Sequence, residues 1–377
     1  MTKLQNQING EEVVKLCKKN EDTLSIIISS RSIADINQKL KVKLKNSIKT
    51  AKELIEAQGK ESAKFIDQLS AVNIEQEIKN LPQTHSLIIL VTAKSLNVFN
   101  TPRIIISTPI VSFGKKCLVR YFIRDLNLDK NYYLLDLSQK HTDLYEVDRF
   151  TIKNIDKKLG LPTGFQNMFL MERDSPRQQR SLGKGSSVFY GHSGGKDEHA
   201  DVLNSYFHEI DSILLNKMPD KNKPIMLAGT EDIINKFLNI TKYPNIWKAH
   251  IERSIDKIPE SEILRLANKS LALQIELELN ELVKTINDKV NTGKVLSDFA
   301  AIFDSAINGR VEYLIYKKGL SIWGQFSNGE ITLKKQRGVN DIDLVNLLIS
   351  TVLENSGKVY VDFGNVLQGD VLARLRY

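Results

Sequence analysis

The sequence predicts an α/β protein of three domains, and three observations carry that reading. Its 377 residues exceed what one small core organises, at roughly 100–200 residues per domain. Apolar, β-branched runs alternate along the chain with stretches of helical period. Two late segments, FAAIFDSAINGRVEYLIYKKG and DIDLVNLLISTVLENSGKVYVDFG, each read as a helix running into a strand. The domains are placed at 1–128, 129–272 and 273–377, the first boundary falling at the polar LDKN.

The first domain opens with a helix-like GEEVVKLCKKN, followed by the β-rich DTLSIIISS. A long helical pattern runs from about Asp35 to Gln58, with Leu44, Ile48, Ala51 and Ile55 as its buried stripe. Lys41, Lys45, Lys49 and Lys52 fall on another face of the same helix. Such a stripe can track a phosphate backbone, and it can equally be a solvated face. SLIILVTAKSLNVFN, RIIISTPIVSF and CLVRYFI then read as strands joined by short turns.

In the second domain YYLLDLSQKHTDLYEVDRFTIKNI reads as two or three consecutive strands. The polar ERDSPRQQRSLGKGSS leads through VFYGHSGGKDEH into a helix whose apolar face is Val202, Tyr206, Ile210 and Ile213. PIMLAGT is a buried-strand candidate, a helix starts near Thr230, and helical sequence resumes over 260–290. The third domain is the small α/β sandwich of the two late segments, with Gly357 placed to stop the helix before KVYVDF.

Composition narrows the function classes. Apolar residues make up 41% and charged residues 26%, which suits globular domains rather than a disordered chain. No apolar run approaches the roughly 20 residues of a membrane span, and the first residues lack a signal peptide's apolar core, so a cytoplasmic monomer without membrane contact is expected. Cys17 and Cys117 are too few for a disulfide framework or a four-cysteine zinc site. A net charge of +8 and a pI near 9.1 favour polyanionic partners such as RNA.

Gly191-His192-Ser193-Gly194-Gly195 fits the G-x-S-x-G of a hydrolase nucleophile elbow, which would make Ser193 a nucleophile. The rest of that apparatus is missing. Of the histidines after Ser193, His199 and His208 share the following helix and His250 lies in NIWKAHIERS, and no HGG-type oxyanion loop precedes it. The spacing of His192, His199 and His208 matches no zinc motif, so no metal and no cofactor is expected. The stronger signal is a basic, glycine-rich loop over 173–196. Arg173, Arg177, Arg180, Lys184 and Lys196 face only Asp174 up to that lysine, and Gly194-Gly195 stand just before a helix, where free N–H groups suit an anion.

Taken in order, LSIIISSRSIADINQKLKVKLKNSIKTAKELIEAQG, YYLLDLSQKHTDLYEV, PIMLAGTEDIINKFLNITKYPNI, AINGRVEYLIYKKG and VLARLRY resemble the bacterial branch of the archaeo-eukaryotic release factor and Pelota family. The resemblance implies a central ribonuclease-H-like domain and a C-terminal domain similar to kink-turn-binding ribosomal proteins. It implies a factor that binds the ribosome and its rRNA at the A site, with a translational GTPase as a partner that delivers it. Release factors of this family carry Gly-Gly-Gln before the long central helix; here the matching residues are Gly194-Gly195-Lys196. An ammonium has no acceptor and cannot reproduce an amide's paired donor and acceptor. The resemblance therefore points to ribosome rescue or hibernation without peptidyl-tRNA hydrolysis, with Arg173, Arg177, Arg180, Lys184, Gly194, Gly195 and Lys196 as the RNA-binding residues and no catalytic residue assigned. A hydrolase acting on peptidyl-tRNA or a small ester through 191–196 is the alternative.

Overall fold

The structure is a computed structural model that describes residues 4–5, 12, 15, 18–19, 21–29, 36–57, 62–73, 76–77, 85–102, 106, 108–137, 142–162, 164, 194–327, 329–334, 338, 341–364 and 366–377. The protein is mixed α/β and divides into two compact units: Met1–Asn127 together with Leu279–Tyr377, and Leu128–Glu278.

The first segment holds β1 (Leu4–Gln5), β2 (Thr23–Ser29), α1 (Ile36–Glu56), α2 (Ser62–Ser70), β3 (His85–Thr92), β4 (Leu96–Pro102) and β5 (Ile110–Gly114), and ends in a 3-10 turn, Val119–Phe122, that continues into α3 (Ile123–Asn127). Its sheet has the order β1-β4-β3-β2-β5. Strand β2 is buried along its whole length because both faces are covered. Leu24, Ile26 and Ile28 pack with Leu40, Leu44, Ala51 and Ile55 of α1 and Phe65 of α2, while Ile27 points the other way with Ile88 and Leu90. Within α1, Lys45 and Lys49 of the basic stripe are exposed and Lys41 and Lys52 half-buried.

Two expectations change here. CLVRYFI is helical rather than a strand: Val119, Phe122 and Ile123 stand at i, i+3 and i+4 and are fully buried on one helical face. Its β-branched and aromatic residues imitate a strand, and packing decides otherwise. Within RIIISTPIVSF the described strand is Ile110–Gly114, and part of the preceding run, like most of GEEVVKLCKKN, lies outside the described residues.

The central segment holds β6 (Tyr132–Leu137), β7 (Thr142–Val147), β8 (Ile152–Asn154), α4 (Asp156–Leu159), α5 (Gly194–Lys217), β9 (Ile225–Ala228), α6 (Glu231–Ile240) and α7 (Glu260–Asn287). The sheet order is β8-β7-β6-β9, with β6 and β9 parallel. One face carries Tyr133, Leu135 and Leu227 against α5 and α6; the other carries Tyr132, Leu134 and Met226 against Trp247 and against Ile263, Ala267 and Leu271 of α7. Gln274 Oε1 accepts the N–H groups of Lys248 and Ala249 at 3.0 and 3.1 Å, tying the segment after β9 to α7.

The last segment holds β10 (Val295–Leu296), α8 (Phe299–Ile307), β11 (Val311–Lys317), β12 (Trp323–Ser327), β13 (Glu330–Lys334), β14 (Ile342–Asp343), α9 (Leu344–Glu354), β15 (Lys358–Asp362) and β16 (Val371–Leu375). Its main sheet is β10-β16-β11-β15, and β13-β12-β14 forms a smaller one. Asp298 caps α8 by accepting Ala301 N–H, and Asp343 caps α9 by accepting Asn346 N–H. Gly357 does not supply the left-handed turn after α9. Ser356 adopts it, at φ 59°, while Gly357 serves close approach: a Cβ there would stand 2.6 Å from Val352 Cγ1 and 2.9 Å from Val311 O.

The first and last segments share one hydrophobic core, in which Ile88, Phe99, Phe122 and Ile123 meet Phe303, Leu314, Leu348 and Ile349. Polar contacts reinforce it. Arg120 Nη1 lies 2.6 Å from Asp343 Oδ2, Asn346 Nδ2 donates to Cys117 O at 2.9 Å, and Lys116 pairs with Glu354. Burial here pushes the Cys117 thiol up to about 12. Because the thiolate is the nucleophile, Cys117 is expected to resist iodoacetamide at pH 8 in the native protein and to alkylate at an ordinary rate in 6 M guanidinium. Peptide mass mapping of the Cys117 peptide reads both states.

Candidate functional site

The loop read from the sequence as the site feeds α5. Arg173, Arg177, Arg180, Lys184 and Ser193 lie outside the described residues. Gly194, Gly195 and Lys196 are placed as the first three residues of α5. A helix leaves its first four N–H groups without an intrahelical partner and carries positive potential at that end. The Gly-Gly-Lys triplet therefore brings a ready-made anion-facing end to the basic loop before it.

Packing fixes α5 further along. Val202, Leu203, Tyr206, Phe207, Ile210, Ile213 and Leu214 are buried against the central sheet, including every residue of the predicted apolar face. At 1.5 Å per residue, Gly194 stands about 12 Å along the axis from Val202. Tyr206 is locked in place: its hydroxyl and the Thr142 hydroxyl at the start of β7 are 2.5 Å apart, and burial drives the phenol well above its usual range. Phe207 meets Phe237 of α6 edge-on at 5.5 Å. Asp211, also buried, accepts from Thr241 Oγ1 at 2.7 Å and Lys242 N–H at 2.9 Å, joining α5 to the end of α6. The helix is anchored along Val202–Leu214, with the triplet at its N-terminal end.

Among the described residues the histidines do not assemble, and His192 lies outside them. His199 and His208 are both on α5, nine residues or about 13 Å apart along its axis, and His208 is exposed. His250 follows β9; burial lowers its pKa, and its carbonyl accepts from Ser270 Oγ at 3.0 Å. Among the described residues no group of three His, Cys, Asp or Glu is placed to hold a metal ion, and no helix is long and apolar enough to cross a membrane.

One feature of this unit escaped the sequence reading. Asp136 is fully buried in β6 and stands in register with Asp143 of β7, so the two carboxylates share one face of the sheet. Burial first, then the charges of Asp143 and Asp136, raise the nearby Tyr145 phenol. The signal was present, since a charge inside the otherwise apolar YYLLDL is costly unless its surroundings are built for it.

Residues 132–273 match the family described as bacterial archaeo-eukaryotic release factor family 7. That central segment is similar to release factors. The match covers the sheet β6–β9, the basic 173–196 stretch, α5 with its Gly-Gly-Lys and the first half of α7. No curated protein matches the chain. Solved structures to which the chain shows similarity include Pelota from Archaeoglobus fulgidus, at 13% identity over 78% of this chain and 79% of that one with a TM-score of 0.35. Dom34 from S. cerevisiae, described as a translation termination-like factor interacting with Hbs1, is similar at 13% identity over 76% and 74% with a TM-score of 0.33. An archaeal Pelota, described in a model of ribosome-bound archaeal Pelota and ABCE1, is similar at 12% identity over 99% and 95% with a TM-score of 0.34.

Proposed function

We propose that this release-factor-like protein is a cytoplasmic, monomeric ribosome-associated factor that occupies the A site in rescue or hibernation, without hydrolysing peptidyl-tRNA. The observation that carries the reading is the Gly194-Gly195-Lys196 triplet at the start of α5, inside the segment that matches the family. In this reading Arg173, Arg177, Arg180 and Lys184 contact rRNA phosphates, and Lys196 adds a point charge where the family's release factors use an amide. A translational GTPase as delivery partner belongs to the same proposal. So do the division at 128/129 and 272/273, the ribonuclease-H-like reading of the central sheet and the kink-turn-protein reading of the last segment.

The test is co-sedimentation of the full chain with purified ribosomes at 50 and 200 mM salt, alongside release of labelled peptide from P-site peptidyl-tRNA. Association at low salt that falls by at least ~10²-fold at 200 mM is expected from counterion release by a handful of phosphate contacts. Peptide release should stay at the uncatalysed rate and be unchanged by Lys196→Ala. Absence of association at 50 mM salt, or release that Lys196→Ala abolishes, contradicts the reading.

A further inference from the structure

A second polyanion-facing surface stands outside the release-factor-like segment. Phe363 lies just after β15 and is 47% exposed, a large aromatic ring left in solvent. Two cations sit over it: Arg124 of α3 with its Cζ 5.1 Å from the ring centroid, and Lys318, just after β11, with its Nζ at 5.0 Å. Both side chains are exposed, and neither makes an ion pair with an acidic residue among the described residues.

The scaffold beneath these three residues is fixed by hydrogen bonds. Asp362 accepts the N–H groups of Gly364 and Leu367, both at 2.9 Å, which sets the turn that presents Phe363. The Asp362 carbonyl accepts Lys318 N–H at 2.9 Å, and Asn127 Nδ2 at the end of α3 donates to Val359 O at 2.9 Å. Ring and cations therefore converge from three chain segments, with little ordering left for a ligand to impose. The Asp362 carboxylate is directed at backbone donors and, among the described residues, forms no ion pair with either cation.

Charge is distributed in the same sense. Residues 1–127 and 279–377 together carry 32 Lys and Arg against 23 Asp and Glu, whereas residues 128–278 carry 21 against 22. The whole excess of positive charge lies in the unit that holds Phe363, and a polyanion is drawn to it first. An acidic peptide would satisfy the cations and leave the ring unused. An unpaired nucleotide uses both, because its base stacks on an aromatic face while its flanking phosphates take the cations. We propose that Phe363, Arg124 and Lys318 form a platform for an unpaired base of single-stranded RNA. This site is independent of the 173–196 loop.

The test is fluorescence anisotropy of the full chain with a labelled ten-nucleotide single-stranded RNA of mixed sequence, at 50 and 200 mM KCl. Phe363→Ala is expected to weaken binding by about 5- to 150-fold, the range for loss of one stacked base, and Phe363→Trp to retain it. The double variant Arg124→Ala/Lys318→Ala should also weaken binding and lower the salt slope by roughly 1.4, from two fewer phosphate contacts. All three side chains are exposed, so unchanged melting temperatures are expected and separate a binding effect from unfolding. Replacing the loop residues Arg173, Arg177, Arg180 and Lys184 should leave the Phe363 effect intact, whether or not the protein enters a ribosome. Wild-type affinity in Phe363→Ala overturns the proposal. So does RNA binding by the double variant at wild-type salt slope, or a polyglutamate peptide whose binding weakens as much on Phe363→Ala as that of the RNA.

Discussion

Arg120→Ala is expected to destabilise its unit by about 3–5 kcal/mol, the cost of leaving one member of a buried ion pair without the other. Arg120 and Asp343 are only 10% and 11% exposed, and Nη1 meets Oδ2 at 2.6 Å. The second guanidinium nitrogen donates to Leu320 O, and the Arg120 backbone is held as well: its N–H donates to Asn346 Oδ1 at 3.1 Å and its carbonyl accepts from Tyr316 at 3.1 Å. Burial alone would weaken the guanidinium charge, yet Asp343's charge and hydrogen bond outweigh it and the pKa rises. Asp343 works twice, since Oδ1 also caps α9 at 3.0 Å from Asn346 N. Asp343→Asn should therefore cost less than Asp343→Ala, because an amide oxygen keeps the cap, worth about 1 kcal/mol. Arg120→Met with Asp343→Asn should recover much of the loss, since a buried pair often barely outperforms an apolar substitute. Urea unfolding followed by Trp323 fluorescence in a Trp247→Phe background reads this unit, for Trp323 pairs with Asp343 across β12 and β14. A loss below about 1 kcal/mol for Arg120→Ala would mean that the hydrophobic core alone joins the first and last segments.

That join marks where sequence reading stops. The elements were legible because each carries its own period: Ile225–Ala228 is a short apolar run, and Val202, Tyr206, Ile210 and Ile213 recur at helical spacing. Both late helix-to-strand pairs are found as read. What joins Cys117 and Arg120 to residues more than 200 positions away leaves no local pattern, so nothing in the sequence shows the two terminal segments sharing a core. CLVRYFI misled for the opposite reason, a local pattern that tertiary packing overrode. The β12–β13 hairpin went unread because its strands, WGQFS and EITLK, are short and mostly exposed. Of the candidate site, the long helix at the glycine pair was legible in GGKDEHADVLNSYF, while the basic stretch before it lies outside the described residues. Asp136 and Phe363 were not singled out, since a buried carboxylate and an exposed ring gain meaning only from neighbours that are distant in sequence.

Replacing Arg173, Arg177, Arg180 and Lys184 together by alanine is expected to have the largest effect on ribosome association. Each phosphate contact to single-stranded or irregular RNA releases about 0.7 of a counterion, so at 0.1 M salt four lost contacts weaken binding by roughly 10²- to 10³-fold. The salt slope should fall by about 3 in the same measurement, which separates lost phosphate contacts from a misplaced loop: a misplaced loop would not change the slope in proportion to the charges removed. Stability should be untouched, because Val202, Tyr206, Ile210 and Ile213, none of them altered, hold α5 on the central sheet. Lys196→Gln, which restores the family's amide at the start of α5, removes one charge and should lower the slope by only about 0.7. The distribution of charge supplies the competing outcome. Residues 1–127 alone carry 20 basic against 12 acidic residues, with the exposed Lys45 and Lys49 of α1 among them. If that segment made the ribosomal contacts, the quadruple variant would keep both affinity and slope, and Lys45→Ala/Lys49→Ala would lose them. Measuring the two variants side by side at 50, 100 and 200 mM salt decides which end of the chain meets the RNA.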